Sequence, residues 1–305
     1  MLLELRGLSK YYGAYQALKD VSVDVREGCV GLLGPNGAGK STLIRTILGL
    51  LDFAAGEGRV LGHDIRRQCM AVRQRAGYMP EHDAAFPGTT GLEMAAYGAE
   101  LSGLRRDDAI SRAHEMLDYV GLGEERYRPT EEYSTGMKQR AKLAQALVHG
   151  PELVLLDEPT NGLDPIGREE MLWLIGDVAR AGVNVILSSH LLHDVERVCD
   201  SVILMQDGRV THYGDVATFT KGEAEQVELE LRGGGGLDAF IAAAAARGIA
   251  MERLDDPDRL QASMVRGDEA EVLLALAVAG GYEVRHLAPR SVTLESAFMR
   301  FVEGA

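Results

Sequence analysis

Nine consecutive residues, "GPNGAGKST" from Gly34 to Thr42, combine three glycines, a lysine and two hydroxyls in the spacing G-x-x-x-x-G-K-[ST]. In that spacing the backbone N–H groups from Gly34 through Asn36, Gly37, Ala38 and Gly39 can wrap phosphate oxygens. Lys40 neutralises the β and γ charges, and the Ser41 hydroxyl, with Thr42 beside it, can ligate Mg²⁺. Further along, "LVLLDEPT" places Asp157 and Glu158 at the end of an apolar run. A carboxylate at the C-terminal edge of a parallel strand points into the crevice where ligands bind, and hard oxygen ligands suit Mg²⁺. Asp157 is therefore the metal-side acid, and Glu158 is placed to take a proton from an attacking water. His190, in "VILSSHLLHDVERVCD", follows the next apolar run. An imidazole there could bond the γ-phosphate and hold the water in line. His193 reads as an ordinary helix side chain.

The stretch "YSTGM" raises a different possibility. Ser134, Thr135 and Gly136 stand at the start of the amphipathic stretch "GMKQRAKLAQALVHG". Free backbone N–H groups at a helix start make an anion site, and a hydroxyl there also makes a cap. The residues alone leave both readings open.

Elements must hold these groups together. Residues 1 to 30 alternate apolar and polar positions, the pattern of half-buried antiparallel strands. "CVGLLG" is a continuous apolar strand that feeds the glycine loop and then the helix "STLIRTILGLL". The strands "LVLLD" and "VNVILSS" flank the helical "REEMLWLIGDVARAG", the βαβ rhythm of a parallel sheet. Residues 89 to 150 read as an inserted helical subdomain. Beyond about residue 221 the predicted order is βαββαβα, a small α+β unit of ferredoxin-like kind that closes with the helix "TLESAFMRFV". The expected architecture is an α/β phosphate-loop NTPase core over residues 1–221, with an N-terminal antiparallel β subdomain and the helical insertion. A C-terminal α+β domain follows over 222–305.

Composition narrows the function. The formal charge is −14, of which the 8 basic and 15 acidic side chains from Gly222 onward supply −7. That excess argues against broad nucleic-acid binding. Glu4 interrupts any secretory leader, and the longest apolar runs, 240–246 and 272–279, fall far short of a membrane span, which needs roughly 20 residues. Cys29, Cys69 and Cys199, odd in number and widely spaced in sequence, fit neither a disulfide framework nor a zinc site, so a reducing cytoplasm is expected. Arg66, Arg67, Arg73 and Arg75 read as a solvated helix face.

The order "GPNGAGKST", "YSTGMKQR", "LVLLDEPT", "NGLD" and "SSH" resembles the nucleotide-binding subunit of ATP-binding cassette (ABC) transporters, over about residues 2 to 215. The resemblance implies ATP and Mg²⁺ as cofactors and a head-to-tail dimer with a second, identical ATPase subunit. Each ATP would lie between the glycine loop of one protomer and the "YSTGM" turn of the other, with Ser134 and Gly136 on the γ-phosphate. It implies adenine stacking on Tyr12, with Tyr11 as the alternative, and coupling of the two sites through Asp164, which is also a helix-cap residue. It further implies docking, on the inner face of the cell membrane, to a separate membrane-spanning permease.

Two positions depart from the family pattern. "LSGGQ" reads here as Tyr133 to Met137, and the Gln expected after Pro80 is Glu81. A carboxylate at 81 can ligate or water-bridge Mg²⁺ but cannot donate as an amide does. Glu at this position, a single cassette followed by a C-terminal α+β unit, and the ending "LESAFM" resemble subunits of exporters, so the resemblance implies export over import. The competing expectation is an ABC-type ATPase acting on ribosomes or DNA, whose representatives usually carry two cassettes or a long coiled-coil insertion.

Overall fold

The computed structural model describes residues 1–82, 88–220, 225–254, 259–264 and 269–290. They divide into two compact units, Met1–Val216 and Ala217–Ala305. The expected closing helix over 293–302 lies outside the described residues.

In the first unit, β1 (Leu3–Tyr12) and β2 (Tyr15–Val25) form a hairpin, and β3 (Cys29–Leu33) leads through the glycine loop into α1 (Lys40–Ile47). There follow β4 (Ala55–Val60), β5 (His63–Asp64), α2 (Cys69–Arg75) and β6 (Ala76–Met79). The helical insertion is α3 (Gly91–Leu101), α4 (Arg106–Tyr119) and α5 (Thr135–Leu147). The chain then returns through β7 (Leu153–Asp157), α6 (Pro165–Arg180), β8 (Asn184–Ser189), α7 (Leu192–Val198), β9 (Ser201–Gln206) and β10 (Arg209–Asp215), with α8 (Val216–Thr220) at the division.

Two sheets result. The hairpin joins β4 and β5 in an antiparallel sheet of order β2-β1-β4-β5. The alternation read from the sequence is visible in β2, where Val21, Val23 and Val25 are buried, while a register shift between Leu5 and Leu8 interrupts it in β1. The second sheet runs β10-β9-β3-β8-β7-β6 and is parallel except for β10. β3 and β7 are buried at every position, as unbroken apolar strands covered on both faces must be. Because β3 lies between β8 and β9, the ends of β3, β7 and β8 converge on one edge of the sheet. A single cluster of aliphatic side chains, including Leu5, Leu18, Leu32, Ile44, Leu155 and Ile186, links the two sheets.

Sequence periodicity did not disclose β6, a four-residue strand too short to show a pattern, or β9 and β10, whose place follows from sheet order. The four arginines do not share one helix face, although Arg66 and Arg67 are exposed as expected. Arg66 and Arg67 precede α2 and donate their backbone N–H groups to Asp64 Oδ1. Arg73 donates to the Leu48 carbonyl at 3.2 Å, and Arg75 pairs with Glu152. Cys29 and Cys199, 170 positions apart, bring their Sγ atoms to 3.4 Å in the core. That is well beyond a bond of about 2.05 Å, so both remain thiols.

Gly31 shows how closely a helix approaches the sheet. A Cβ built there would sit 2.2 Å from Val195 Cγ1, so α7 can lie against β3 only because this strand position has no side chain. Gly31→Ala is expected to destabilise the first unit by roughly 1–3 kcal/mol through overpacking, read as a lower midpoint in urea unfolding.

The second unit is β11 (Glu225–Gly233), α9 (Leu237–Ala245), β12 (Met251–Arg253), β13 (Arg259–Met264), α10 (Glu269–Ala279) and β14 (Tyr282–Arg290). Its sheet order is β12-β13-β11-β14, antiparallel throughout, the ferredoxin-like arrangement. Leu229, Leu231, Leu260, Phe240 and Leu273 fill the space between this sheet and its helices. Phe240 meets Tyr282 edge-on at 5.1 Å.

Candidate nucleotide and catalytic site

The glycine loop is shaped by the close approach of neighbouring backbone. A Cβ on Gly34 would lie 2.3 Å from the Met205 carbonyl, and Gly39 enters α1 in the left-handed region with φ 102°. No side chain caps α1, so its first N–H groups are left for a ligand. Lys40 opens the helix and its Nζ turns back, donating to the Gly34 carbonyl at 2.7 Å and standing 3.3 Å from Glu158 Oε1.

The parallel register sets the acids opposite this loop. Asp157 ends β7 beside Ser188 of β8, and its Oδ1 accepts the Ser41 hydroxyl at 3.0 Å. Asp157 is fully buried, and its second oxygen has no hydrogen-bond partner. Burial pushes its carboxyl up, against the lowering effect of the Ser41 and Ser188 hydroxyls, while Glu81 adds to the rise. The Ser188 hydroxyl lies near enough to matter electrostatically without completing a hydrogen bond. An orphaned buried carboxylate oxygen next to a serine hydroxyl fits a hard cation, whose charge would offset the cost of burial.

Glu158 follows in a left-handed conformation, φ 51°, fixed by its own N–H on the Ser188 carbonyl at 3.0 Å. Such backbone is costly outside glycine and tends to mark functional positions. It turns the carboxylate so that Oε2 lies 2.8 Å from His190 Nδ1 while Oε1 faces Lys40. The three side chains singled out separately in the sequence thus form one chain, Lys40–Glu158–His190.

A cleft of about 450 Å³ opens over the loop, lined by Tyr12, Tyr15, Ala17, Pro35 to Thr42, Glu81, His82 and Glu158. Tyr12 lines it and Tyr11 does not, although both are equally exposed. Lys10 Nζ lies 5.2 Å from the Tyr12 ring centroid. Tyr15 and His82 were not anticipated. For Tyr15 a signal existed, since it pairs directly with Tyr12 across the two-residue turn and so shares its face of the sheet. Lys142 was also missed. This buried side chain of α5 donates to the carbonyls of Pro80 and Glu81 at 2.9 and 3.0 Å, tying the segment that carries Glu81 to the helical insertion.

Ser134, Gly136 and Asp164 do not line the cleft. Ser134 caps α5 by accepting from Met137 N at 3.3 Å, and Asp164 caps α6 by accepting from Gly167 N at 3.0 Å, with Pro165 as first helical residue. Gly136 is unlike Gly34. Its φ is ordinary and an added Cβ would meet nothing closer than 3.9 Å. Nothing among the described residues requires glycine there, where it weakens a helix by up to about 1 kcal/mol relative to alanine.

A parallel sheet with a glycine-rich loop feeding a helix, a buried aspartate on the loop's serine, and a glutamate beside them define a nucleoside-triphosphate-binding α/β domain. The family model for "ABC transporter" matches residues 18–161. The uncharacterized ABC transporter ATP-binding protein YxlF of Bacillus subtilis (strain 168) is 39% identical over 216 residues, 70% of this chain and 71% of that one. The daunorubicin resistance ATP-binding protein DrrA3 of Streptomyces coeruleorubidus is 34% identical over 299 residues, 96% of this chain and 93% of that one. A solved ATP-binding subunit of an ABC transporter superposes with a TM-score of 0.65 at 31% identity, over 72% of this chain and 92% of that one. The chain belongs to the ABC transporter ATP-binding proteins.

Proposed function

We propose that this subunit hydrolyses ATP in a head-to-tail dimer and couples the cycle to export through a membrane-spanning partner. The observation that carries the proposal is the Glu158 carboxylate, held between Lys40 and His190 on the lining of the phosphate cleft. An incoming triphosphate would draw Lys40 from Glu158 and leave the carboxylate to take a proton from the attacking water. With Nδ1 donating to Glu158, the other imidazole nitrogen can donate to a γ-phosphate oxygen only when the ring is protonated or has released Glu158. Ser41 and Asp157, with Glu81 nearby, would hold Mg²⁺, which neutralises phosphate charge. Among the described residues no group of three or more His, Cys, Asp or Glu could hold a metal, so phosphate oxygens would complete its shell.

Ser134 and Gly136 would complete the site from the second protomer. The permissive surroundings of Gly136 support that reading, because a glycine that no packing among the described residues requires suits close approach of an outside phosphate. Asp164 would link the paired sites while capping α6. Tyr12 would stack on adenine. Tyr12→Ala should weaken ATP binding by about 1–3 kcal/mol, the range for loss of a base–aromatic contact, whereas Tyr11→Ala should change it little, as measured by calorimetric titration.

No helix among the described residues is long and apolar enough to cross a membrane, and in this reading a separate subunit supplies the spanning path. An apolar cleft of about 520 Å³ on α3 and α4, lined by Leu92, Met94, Ala96, Tyr97 and Ile110 among others, supports docking of such a partner on the helical insertion. The daunorubicin-resistance name of the Streptomyces relative supports export. Fractionation tests the proposal. The subunit should pellet with membranes and be released by detergent together with a multi-span protein, and recovery with ribosomes or in a nuclease-sensitive fraction would sink it.

A further inference from the structure

Asp194 is a fully buried carboxylate that stands outside the cleft, in α7, four residues after His190. Its Oδ2 accepts the Thr160 hydroxyl at 2.7 Å. Its Oδ1 accepts Arg168 Nε at 2.6 Å and also pairs with the second guanidinium nitrogen, Nη2. A carboxylate removed from water is tolerated only when donors replace the lost hydration, and here three do. Each partner belongs to a segment of the proposed machinery. Thr160, itself buried, lies two residues beyond Glu158. Arg168 sits in the first turn of α6, its backbone N–H on the Asp164 carbonyl at 2.9 Å. Next to Asp194, Val195 occupies the space that Gly31 leaves open on β3.

We infer that Asp194 is a positioning residue for hydrolysis, which rests on the reading of Glu158 as the base. Through Thr160 it sets the path of the chain leaving Glu158. Through Arg168 it sets the helix that Asp164 caps, and through its own helix it sets where His190 enters. The 2.8 Å contact between His190 and Glu158 and the placement of Asp164 therefore share one fastening. α7 cannot shift relative to α6 without breaking charge-assisted bonds to a carboxylate that is itself removed from water.

A purely structural ion pair would also be buried and well bonded, so the test must separate stability from turnover. Phosphate release and fluorescent-ATP binding are measured on the full-length wild type, Asp194→Asn, Thr160→Val and the double variant, with thermal unfolding recorded for each. The expected result is a fall in kcat of about ten- to a hundredfold, the cost of a small misplacement of reacting groups, with ATP affinity within about twofold of wild type. The double variant should be no slower than the slower single one, because both changes loosen the one side chain that fastens Thr160 to Arg168. If both single variants turn over within about twofold of wild type, however far their melting temperatures fall, Asp194 is structural only and the inference is wrong. Parallel loss of ATP affinity overturns it as well. Should Asp194→Asn fail to fold, Thr160→Val decides, since Arg168 stays on the carboxylate. Wild-type turnover that survives Glu158→Gln would remove the base reading and this inference together. Turnover abolished by Glu158→Gln but untouched by Thr160→Val would remove the inference alone.

Discussion

Glu158→Gln is expected to lower steady-state ATP turnover by about 10²–10⁴-fold, the range lost with a positioned general base, while an ATP-dependent dimer still forms. The amide keeps the length and planarity of the carboxylate, so a bond to His190 Nδ1 at 2.8 Å can be retained by its oxygen. It cannot take a proton from water. The same substitution removes the charge opposite Lys40, which stands 3.3 Å away with both side chains nearly buried. Loss of that pairing leaves Lys40 more available to phosphate, so nucleotide affinity should hold or rise. Phosphate release measured alongside light scattering with ATP checks both halves of the expectation. A variant that releases phosphate within a few-fold of wild type would show that the proton goes elsewhere.

Gly136→Asp should abolish ATP-driven dimerisation and hydrolysis while leaving the monomer folded and its own nucleotide cleft intact. Two effects have opposite signs here. Within the protomer the new side chain finds open space, with Leu163 Cδ2 at 3.9 Å and Ser134 Oγ at 4.0 Å from an added Cβ. A carboxylate in the first turn of α5 also interacts favourably with the helix dipole, by about 0.3–1 kcal/mol, so stability should be unchanged or slightly higher. Across the dimer, that carboxylate would face the γ-phosphate. At an effective dielectric of about 20, a pair of like charges 4 Å apart costs roughly 4 kcal/mol, close to a thousandfold in association. The interfacial term is the larger. Thermal unfolding, ATP titration of the monomer and ATP-dependent size analysis separate the terms, and a dimer that persists with ATP would show that the turn does not meet the nucleotide.

Parts of the architecture were legible in the sequence for a specific reason: their signals are contiguous. The run from Cys29 to Ile47 carries its strand, its glycine loop and its helix in one stretch, with the unbroken apolar pattern of a strand buried on both faces. The caps were legible too, because Ser134 and Asp164 bond to N–H groups only three residues away. The ferredoxin-like order of the second unit followed from alternating strand and helix patterns, and its four-stranded antiparallel sheet has the corresponding strand order. Other elements left no such mark. β6 has four residues, and β9 and β10 owe their position to pairing with distant strands.

The amino-acid sequence by itself determined the chemical inventory: a phosphate-wrapping loop, a lysine, hydroxyls, two acids in tandem, an imidazole, and a helix entered through a hydroxyl and a glycine. Each is set by residue type and short spacing, which no packing arrangement can alter. Only the tertiary structure decided how they meet. The parallel register of β7 with β8 carries Asp157 beside Ser188 and swings Glu158 between Lys40 and His190, across 118 and 32 positions of chain. The hairpin puts Tyr12 over the cleft and leaves Tyr11 off it. Lys142 reaches back over 62 positions to Pro80, and Asp194 gathers Thr160 and Arg168 from another loop and another helix. A sequence pattern does not encode such contacts, because they exist only after segments separated along the chain have become neighbours.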